Sequence, residues 1–215
     1  MENHYLSHPP TKEFFHKEFF GKGWLFPEGF QKQLESIDKV LKDEREVHLL
    51  SGAHAPVFTL GNSLKKDENL KGDFVQTDRG GKVMYHGPGQ LTIYPIFKLQ
   101  RYFNGPKAYI KFLFDLAIDH FKKTYSIDLH CKNNGLWTEE RKKVGFVGLR
   151  VKKGVTYHGL SLNYDVDLGS FLKHSPCDIS GEQAGNIFNE DAPCLKEESE
   201  ILMNLFFERL TLRDA

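Results

Sequence analysis

Two runs rich in β-forming residues, 142–151 and 155–164, are separated by only a Lys-Lys-Gly segment. This spacing predicts a β-hairpin, and a hairpin needs further strands or helices to cover its apolar face. Adjacent strands joined by short turns favour antiparallel pairing. We therefore predict an α+β fold with a mixed, mainly antiparallel sheet and flanking helices. Four more candidate strands lie at 46–52, 56–61, 74–78 and 90–97.

Three segments have the apolar spacing of helices. The first begins at Pro27, the second is preceded by the start signal Asn104-Gly105-Pro106, and the third covers residues 196–212. Residues 1–23 show no clear periodicity, so we predict an N-terminal arm followed by a single domain over residues 24–215. A polar, glycine-bounded loop is expected at 61–73.

The composition excludes several classes of protein. The 29 basic and 29 acidic residues balance, which argues against a nucleic-acid partner. Three widely spaced cysteines form neither a disulfide framework nor a CxxC pair, so no metal site is expected. The sequence has no apolar stretch long enough to span a bilayer, and we recognise no secretory signal in it. We expect a cytoplasmic protein without a membrane partner and, since no coiled-coil seam is present, a monomer.

A glycine-rich cluster at 79–90 is the first candidate for chemistry. Its pattern is neither a Walker A loop nor GxGxxG, so the usual nucleotide readings do not apply. Glycine lets a backbone approach a ligand closely, Arg79 is suited to a carboxylate or phosphate, and His86 could donate a hydrogen bond or a proton. A tight structural loop between strands is the alternative that the residues leave open.

A cysteine and a lysine form the second candidate pair. Cys177 lies between a proline and Asp178 in a polar loop, which favours exposure, and Lys143 opens a strand. A cysteine becomes nucleophilic as its thiolate, and a lysine amine beside the thiol can take its proton. Taken alone, each residue is more often structural, as a small buried hydrophobe or a solvated charge.

Together these segments resemble the lipoyl(octanoyl) transferases of lipoate synthesis. Residues 79–90 match the family pattern RGG-x-x-x-YHGPGQ, and residues 143–150 match K-x-x-x-x-G-x-R. Residues 158–163 match HG-x-x-LN, residues 176–177 match the Pro-Cys motif, and residues 54–61 match H-x-P-V-[FY]-T-x-G. The order of the motifs is preserved over roughly residues 24–185.

The resemblance implies a biotin/lipoate-ligase-like fold and a two-step acyl transfer without a cofactor. Cys177 would carry the octanoyl group as a thioester, and Lys143 would act as general acid and base. The donor would be octanoyl-acyl carrier protein. The acceptors would be lysines of lipoyl domains in 2-oxoacid dehydrogenase E2 subunits and of the glycine cleavage H protein, in the first step of endogenous protein lipoylation.

The resemblance also assigns residues to the acyl substrate, with His54 and His158 as supporting residues. The substrate-binding residues it implies are Arg79, Gly80, Gly81, Lys82, Val83, Met84, Tyr85, His86, Phe146, Val147, Gly148, Gly159, Leu160 and Ser161. Residues 139–153 carry six basic and two acidic side chains, which form either an ordinary solvated surface or a basic rim for an acidic carrier protein.

Alternative functions remain open from the sequence. An ATP-dependent lipoate or biotin ligase of the same fold would form an adenylate and need no nucleophilic cysteine. Asp178 stands where the family commonly has glycine, which is the one feature in favour of a binding module that has lost transfer activity. Transfer between two carrier domains is a third possibility, because its chemistry is closely similar.

Overall fold

A computed structural model describes residues 9–63, 72–174 and 183–212 of the chain, without the side chains of residues 172–174. The strands are β1 (Phe15–Trp24), β2 (Val47–His54), β3 (Val57–Leu60), β4 (Phe74–Gln76), β5 (Val83–His86), β6 (Gln90–Ile96), β7 (Leu129–Lys132), β8 (Gly135–Thr138), β9 (Lys143–Lys152) and β10 (Val155–Asn163). The helices are α1 (Phe26–Lys42), α2 (Leu99–Tyr102), α3 (Pro106–Tyr125), α4 (Gly169–His174) and α5 (Leu195–Thr211).

Two sheets organise these elements. The large sheet has the order β1-β2-β6-β10-β9-β8-β7, and the small one has the order β4-β3-β5. Every neighbouring pair is antiparallel except β1 with β2 and β3 with β4. The predicted α+β fold with a mainly antiparallel mixed sheet is therefore confirmed.

The β9–β10 hairpin forms as the sequence predicts. Lys153 and Gly154 both have left-handed backbone angles, with φ of +52° and +80°. Two consecutive residues with positive φ are what a type I′ hairpin turn requires. Strand β10 is buried along its whole length between β6 and β9. A Cβ at Gly159 would lie 2.2 Å from the carbonyl oxygen of Ile93, so only glycine permits this close strand pairing.

Helices cover both faces of the large sheet. Helix α1 packs Ile37 and Val40 against Leu50 and Tyr94, while α3 and α5 enclose the larger core. Proline occupies the first turn of α1, as predicted. The predicted start of α3 is shifted by one residue: the N-cap is Gly105, which offers no side-chain oxygen, and Asn104 makes no cap. No helix of the described ranges is both long and apolar enough to cross a bilayer.

The N-terminal region contains a strand that the sequence pattern did not predict. Strand β1 runs parallel to β2 at the edge of the large sheet, although its residues lie mostly within the predicted arm 1–23. Its alternation is weak, but Phe15 and Phe19 pack on the larger core, and tertiary contacts of this kind override a weak local signal. The division into an arm and one domain over 24–215 stays a prediction. Strands β7 and β8 also lie outside the predicted elements.

Candidate active site

A cavity of about 470 Å³ lies along β9, between that strand and the glycine-rich loop before β5. It collects nine of the residues assigned by the sequence motifs. They are Arg79, Gly80, Gly81, Lys82, Met84, Lys143, Phe146, Val147 and Gly148. Segments more than sixty residues apart in the chain therefore form one wall, because the backbone N–H of Gly80 donates to the carbonyl of Leu149 at 2.9 Å.

The amine of Lys143 lies at this cavity in a confined position. The residue is only 5% exposed, and its Nζ is 5.0 Å from the ring centroid of Phe146 and 5.8 Å from that of Trp137. Opposite it, a Cβ added at Gly135 would come within 2.3 Å of the lysine Cε. The side chain of Lys143 therefore occupies space that is open only because Gly135 on β8 has no side chain.

Cys177 lies outside the described residues, with Pro176 and Asp178, but both flanks of its segment are anchored at the cavity wall. Before it, the buried ring of Phe171 in α4 packs on Tyr85 and Phe146, at centroid distances of 5.4 and 5.8 Å. After it, Ala184 forms a parallel bridge with Lys143, whose carbonyl accepts the N–H of Gly185 at 3.0 Å. The described residues on either side of the cysteine segment therefore lie beside Lys143 or its neighbour Phe146.

Hydrogen bonds to Thr59 and Gly80 hold the side chain of Arg79 in place. Its guanidinium donates to the carbonyl and hydroxyl oxygens of Thr59 at 2.7–3.2 Å and to the carbonyl of Gly80 at 3.1 Å. A Cβ at Gly148 would lie 2.9 Å from the Cδ of Arg79, so this glycine leaves the space for it. These bonds hold the glycine-rich loop against β3, and the predicted anion contact of Arg79 stays a prediction.

Six of the assigned substrate residues do not line the described cavity. Val83, Tyr85, His86, Gly159, Leu160 and Ser161 are all buried in β5 and β10. His86 donates through Nδ1 to the Gln90 side-chain oxygen at 2.7 Å. Burial holds the pKa of His86 well below its ordinary value, so the imidazole is neutral. These residues are therefore buried in the sheets and do not form part of the described cavity lining.

The two supporting histidines are also neutral and buried, and neither lines the described cavity. Burial lowers the pKa of His54 to about 3, and its ring accepts the Tyr94 hydroxyl at 2.7 Å. His158 has a left-handed φ of +56°, held by its N–H bond to Gln33 and by the ring contact to Asp78 at 3.1 Å. Burial lowers the pKa of His158, whereas the hydrogen bond from His158 lowers that of Asp78 to about 2. His158 is therefore the neutral donor of this pair, and Asp78 is the ionised acceptor.

Sequence reasoning missed several residues of the site. The remaining lining residues are Ser63, Pro106, Ile110, Asn133, Asn134 and Leu149. Asn133 and Asn134 have φ values of +48° and +53° and form the turn between β7 and β8. An Asn-Asn-Gly sequence is a recognisable hairpin signal, so this turn could have been predicted. Its position beside Lys143 follows only from strand order.

Comparison with known proteins identifies the relatives of this chain. Residues 30–201 match the family model of the lipoyl protein ligase A/B catalytic domain. The chain belongs to this family. An octanoyltransferase from Shewanella oneidensis is 41% identical over 133 residues, which are 60% of this chain and 60% of that protein. An octanoyltransferase from Alkalilimnicola ehrlichii is 38% identical over 153 residues, covering 69% and 70% of the two chains.

Solved structures confirm the biotin/lipoate-ligase-like fold. A bi-partite lipoate protein ligase from Thermoplasma acidophilum superposes with a TM-score of 0.66 at 13% identity, covering 94% of this chain and 84% of that one. A biotin protein ligase from Aquifex aeolicus superposes with a TM-score of 0.53 at 12% identity, covering 91% and 70%. At these identities the likeness concerns the fold.

Proposed function

We propose that this protein transfers an octanoyl group from octanoyl-acyl carrier protein to a lysine of lipoyl domains, through a thioester on Cys177. One observation carries the proposal: the buried amine of Lys143 lines a cavity to which both flanks of the Cys177 segment are anchored. The identity to octanoyltransferases supports the reaction class. The acceptors would be E2 lipoyl domains and the glycine cleavage H protein, in the cytoplasm.

The first half-reaction forms the acyl-enzyme. Lys143, as general base, takes the proton of the Cys177 thiol, and the thiolate attacks the carbonyl carbon of the donor thioester. The bond to the carrier sulfur breaks, and Lys143 returns the proton to the leaving thiolate. The products are an octanoyl thioester on Cys177 and the free thiol of the carrier protein.

The second half-reaction forms the amide. The neutral lysine amine of the lipoyl domain attacks the acyl-enzyme carbonyl, the Cys177 sulfur leaves, and Lys143 relays the amine proton to it. A thioester is more activated than an amide, so no nucleotide is needed. Backbone N–H groups near Gly145–Gly148 or beside Cys177 are suited to stabilise the developing oxyanion.

The cavity fits an eight-carbon acyl chain. Its apolar lining includes Met84, Phe146, Val147, Leu149 and Ile110. Its volume of about 470 Å³ lies within the range of small-molecule pockets. Each buried methylene contributes about 0.8 kcal/mol before the cost of ordering the chain.

Intact mass spectrometry after incubation with octanoyl-acyl carrier protein, without ATP, tests the proposal. We expect one octanoyl adduct on the wild type, none on Cys177→Ala, and slow formation on Lys143→Ala. Cys131→Ala and Cys194→Ala are matched controls, because both of these cysteines are exposed, and we expect them to keep the adduct.

Two outcomes contradict the proposal. An adduct that persists in Cys177→Ala assigns the nucleophile elsewhere. The absence of any adduct, with lipoyl-domain modification only after ATP and free octanoate are added, makes the protein an ATP-dependent ligase.

A further inference from the structure

A second group of chemically reactive side chains lies away from the cavity, where β1 and β2 run side by side. His16 and His48 are register partners on these parallel strands, and Glu46 precedes β2. One nitrogen of each histidine and one carboxylate oxygen lie within 4.8 Å of one another. Neither β1 nor β2 contributes a residue to the cavity along β9.

The three ligand atoms converge on one point. His16 Nε2 is 2.7 Å and His48 Nε2 is 3.0 Å from the same oxygen, Oε2 of Glu46. The two imidazole rings stack with centroids 4.7 Å apart, which brings both nitrogens to the same side of the carboxylate.

At 2.7 and 3.0 Å these are close electrostatic contacts, but they lack the angles of good hydrogen bonds. Both His48 Nε2 and Glu46 Oε2 are buried atoms without a partner in hydrogen-bonding geometry. The His48 side chain is only 6% exposed, so water does not solvate it freely. An unpartnered buried polar atom carries a desolvation cost that a ligand would remove.

We propose that His16, Glu46 and His48 form a binding site for a divalent transition-metal ion of the zinc class. Two imidazoles and one carboxylate favour zinc-like ions over magnesium or calcium, which prefer all-oxygen ligands. Zinc–nitrogen distances near 2.0–2.1 Å in a tetrahedron require ligand atoms roughly 3.3 Å apart. The two nitrogens lie 2.7 and 3.0 Å from the Glu46 oxygen, so the ligands must move apart on binding, and the half-exposed His16 ring has room to do so. Water would fill the fourth position.

The surroundings permit a cation. The adjacent surface carries three lysines and, with Glu46, three glutamates, so the local formal charge is balanced. Lys32 lies 3.6 Å from Glu35, and Lys17 donates to Asn204 at 2.6 Å, so both ammonium groups are engaged away from the ligand atoms. Lys39 is the third lysine of this surface and the one whose charge acts on His48.

The site joins the edge strand β1 to the body of the sheet. His16 lies outside the residues matched by the family model, whereas Glu46 and His48 lie inside them. The sequence predicted no metal site because its cysteines form no CxxC pair. Parallel strand pairing instead brings together residues that are thirty-two positions apart.

Zinc titration of tag-free, chelator-treated protein tests the proposal, with the thiols alkylated beforehand so that cysteines do not compete. We expect one zinc ion per chain by calorimetry and a zinc-dependent rise in Tm. His16→Gln should lower the affinity at least about ten-fold, since even outer partners of metal ligands change it by roughly 10- to 100-fold. His130→Gln is the matched control, because this histidine is exposed on β7, and its affinity should equal that of the wild type.

Cobalt substitution identifies the ligands independently. The cobalt(II) form of the wild type should show the visible absorption of a four-coordinate nitrogen–oxygen site, and His16→Gln and Glu46→Gln should lose it. Equal zinc affinity in the wild type and His16→Gln overturns the proposal, as does the absence of stoichiometric binding by wild type that folds normally. The side chains of His16 and Glu46 are partly exposed, so we expect both variants to fold. Circular dichroism checks this.

Discussion

At the scale of single residues, the position of Lys143 depends on an absent side chain. The lysine is buried at the cavity, and a hypothetical Cβ on Gly135 would lie 2.3 Å from its Cε and 3.2 Å from its Nζ. The carbonyl of Gly145 lies 3.0 Å from the same point, so the space is closed on two sides. Gly135 is therefore a positioning residue for the amine.

Replacing Gly135 with alanine should displace the Lys143 amine and lower kcat. A misplacement of about 1 Å can reduce a rate by roughly 100-fold, so we expect a loss of that order with a smaller change in KM for the carrier-bound donor. Steady-state kinetics measures it. In a Lys143→Ala background the same change should have little further effect, and additive losses in this double-mutant cycle would show that Gly135 acts by another route.

At the scale of elements, a buried carboxylate fastens α5 to α3 and to the end of the sheet. Glu198 is 1% exposed and accepts hydrogen bonds from His120 Nε2 at 2.8 Å, from the Tyr125 hydroxyl and from the Tyr164 hydroxyl at 2.9 Å. Burial raises the pKa of Glu198, but these three bonds outweigh it and hold the pKa below its ordinary value. The carboxylate is thus ionised and well coordinated.

Replacing Glu198 with alanine should destabilise the fold strongly. It leaves three donors without their acceptor in a buried place, and breaking such a group costs about 3–5 kcal/mol of unfolding free energy. Denaturant unfolding measures the loss. Glu200→Ala is the matched control on the same helix, with a side chain that is 65% exposed, and should change stability by less than about 0.5 kcal/mol. Equal effects of the two substitutions would disprove the role of the network.

At the scale of the whole molecule, buried neutral histidines couple stability to pH. Burial lowers the pKa of His54 to about 3 and that of His48 to about 4, and it also lowers those of His86 and His158. In the unfolded chain the histidine pKa is about 6.5. The stabilising effect of keeping these rings neutral is therefore complete above about pH 6.5 and is lost as the pH falls towards the folded-state values.

The unfolding free energy should fall steeply between about pH 6.5 and pH 4. Each of these histidines contributes up to about 1.4 kcal/mol per pH unit in that window. Denaturant unfolding at several pH values gives the slope of the unfolding free energy against pH. In His54→Gln one proton fewer is taken up on unfolding, so the slope should be smaller by up to about 1.4 kcal/mol per pH unit. A flat dependence between pH 7 and pH 5 would contradict neutral burial.

The sequence by itself determined the elements whose signals are local. The alternation in 142–151 and 155–164, with a turn that accepts positive φ, was enough for the central hairpin. Helix α1 followed from apolar spacing behind Pro27. The ordered motifs identified Lys143 and the glycine-rich loop, because those patterns are written in consecutive residues.

Tertiary structure decided what depends on distant partners. It placed Met84 on the cavity wall but His86 behind it, made Gly135 the space for Lys143, and added β1 to the sheet edge. It also brought His16 to His48. None of these contacts leaves a periodic signal, because each depends on strand order and register, which the chain sets only when non-local surfaces pack together.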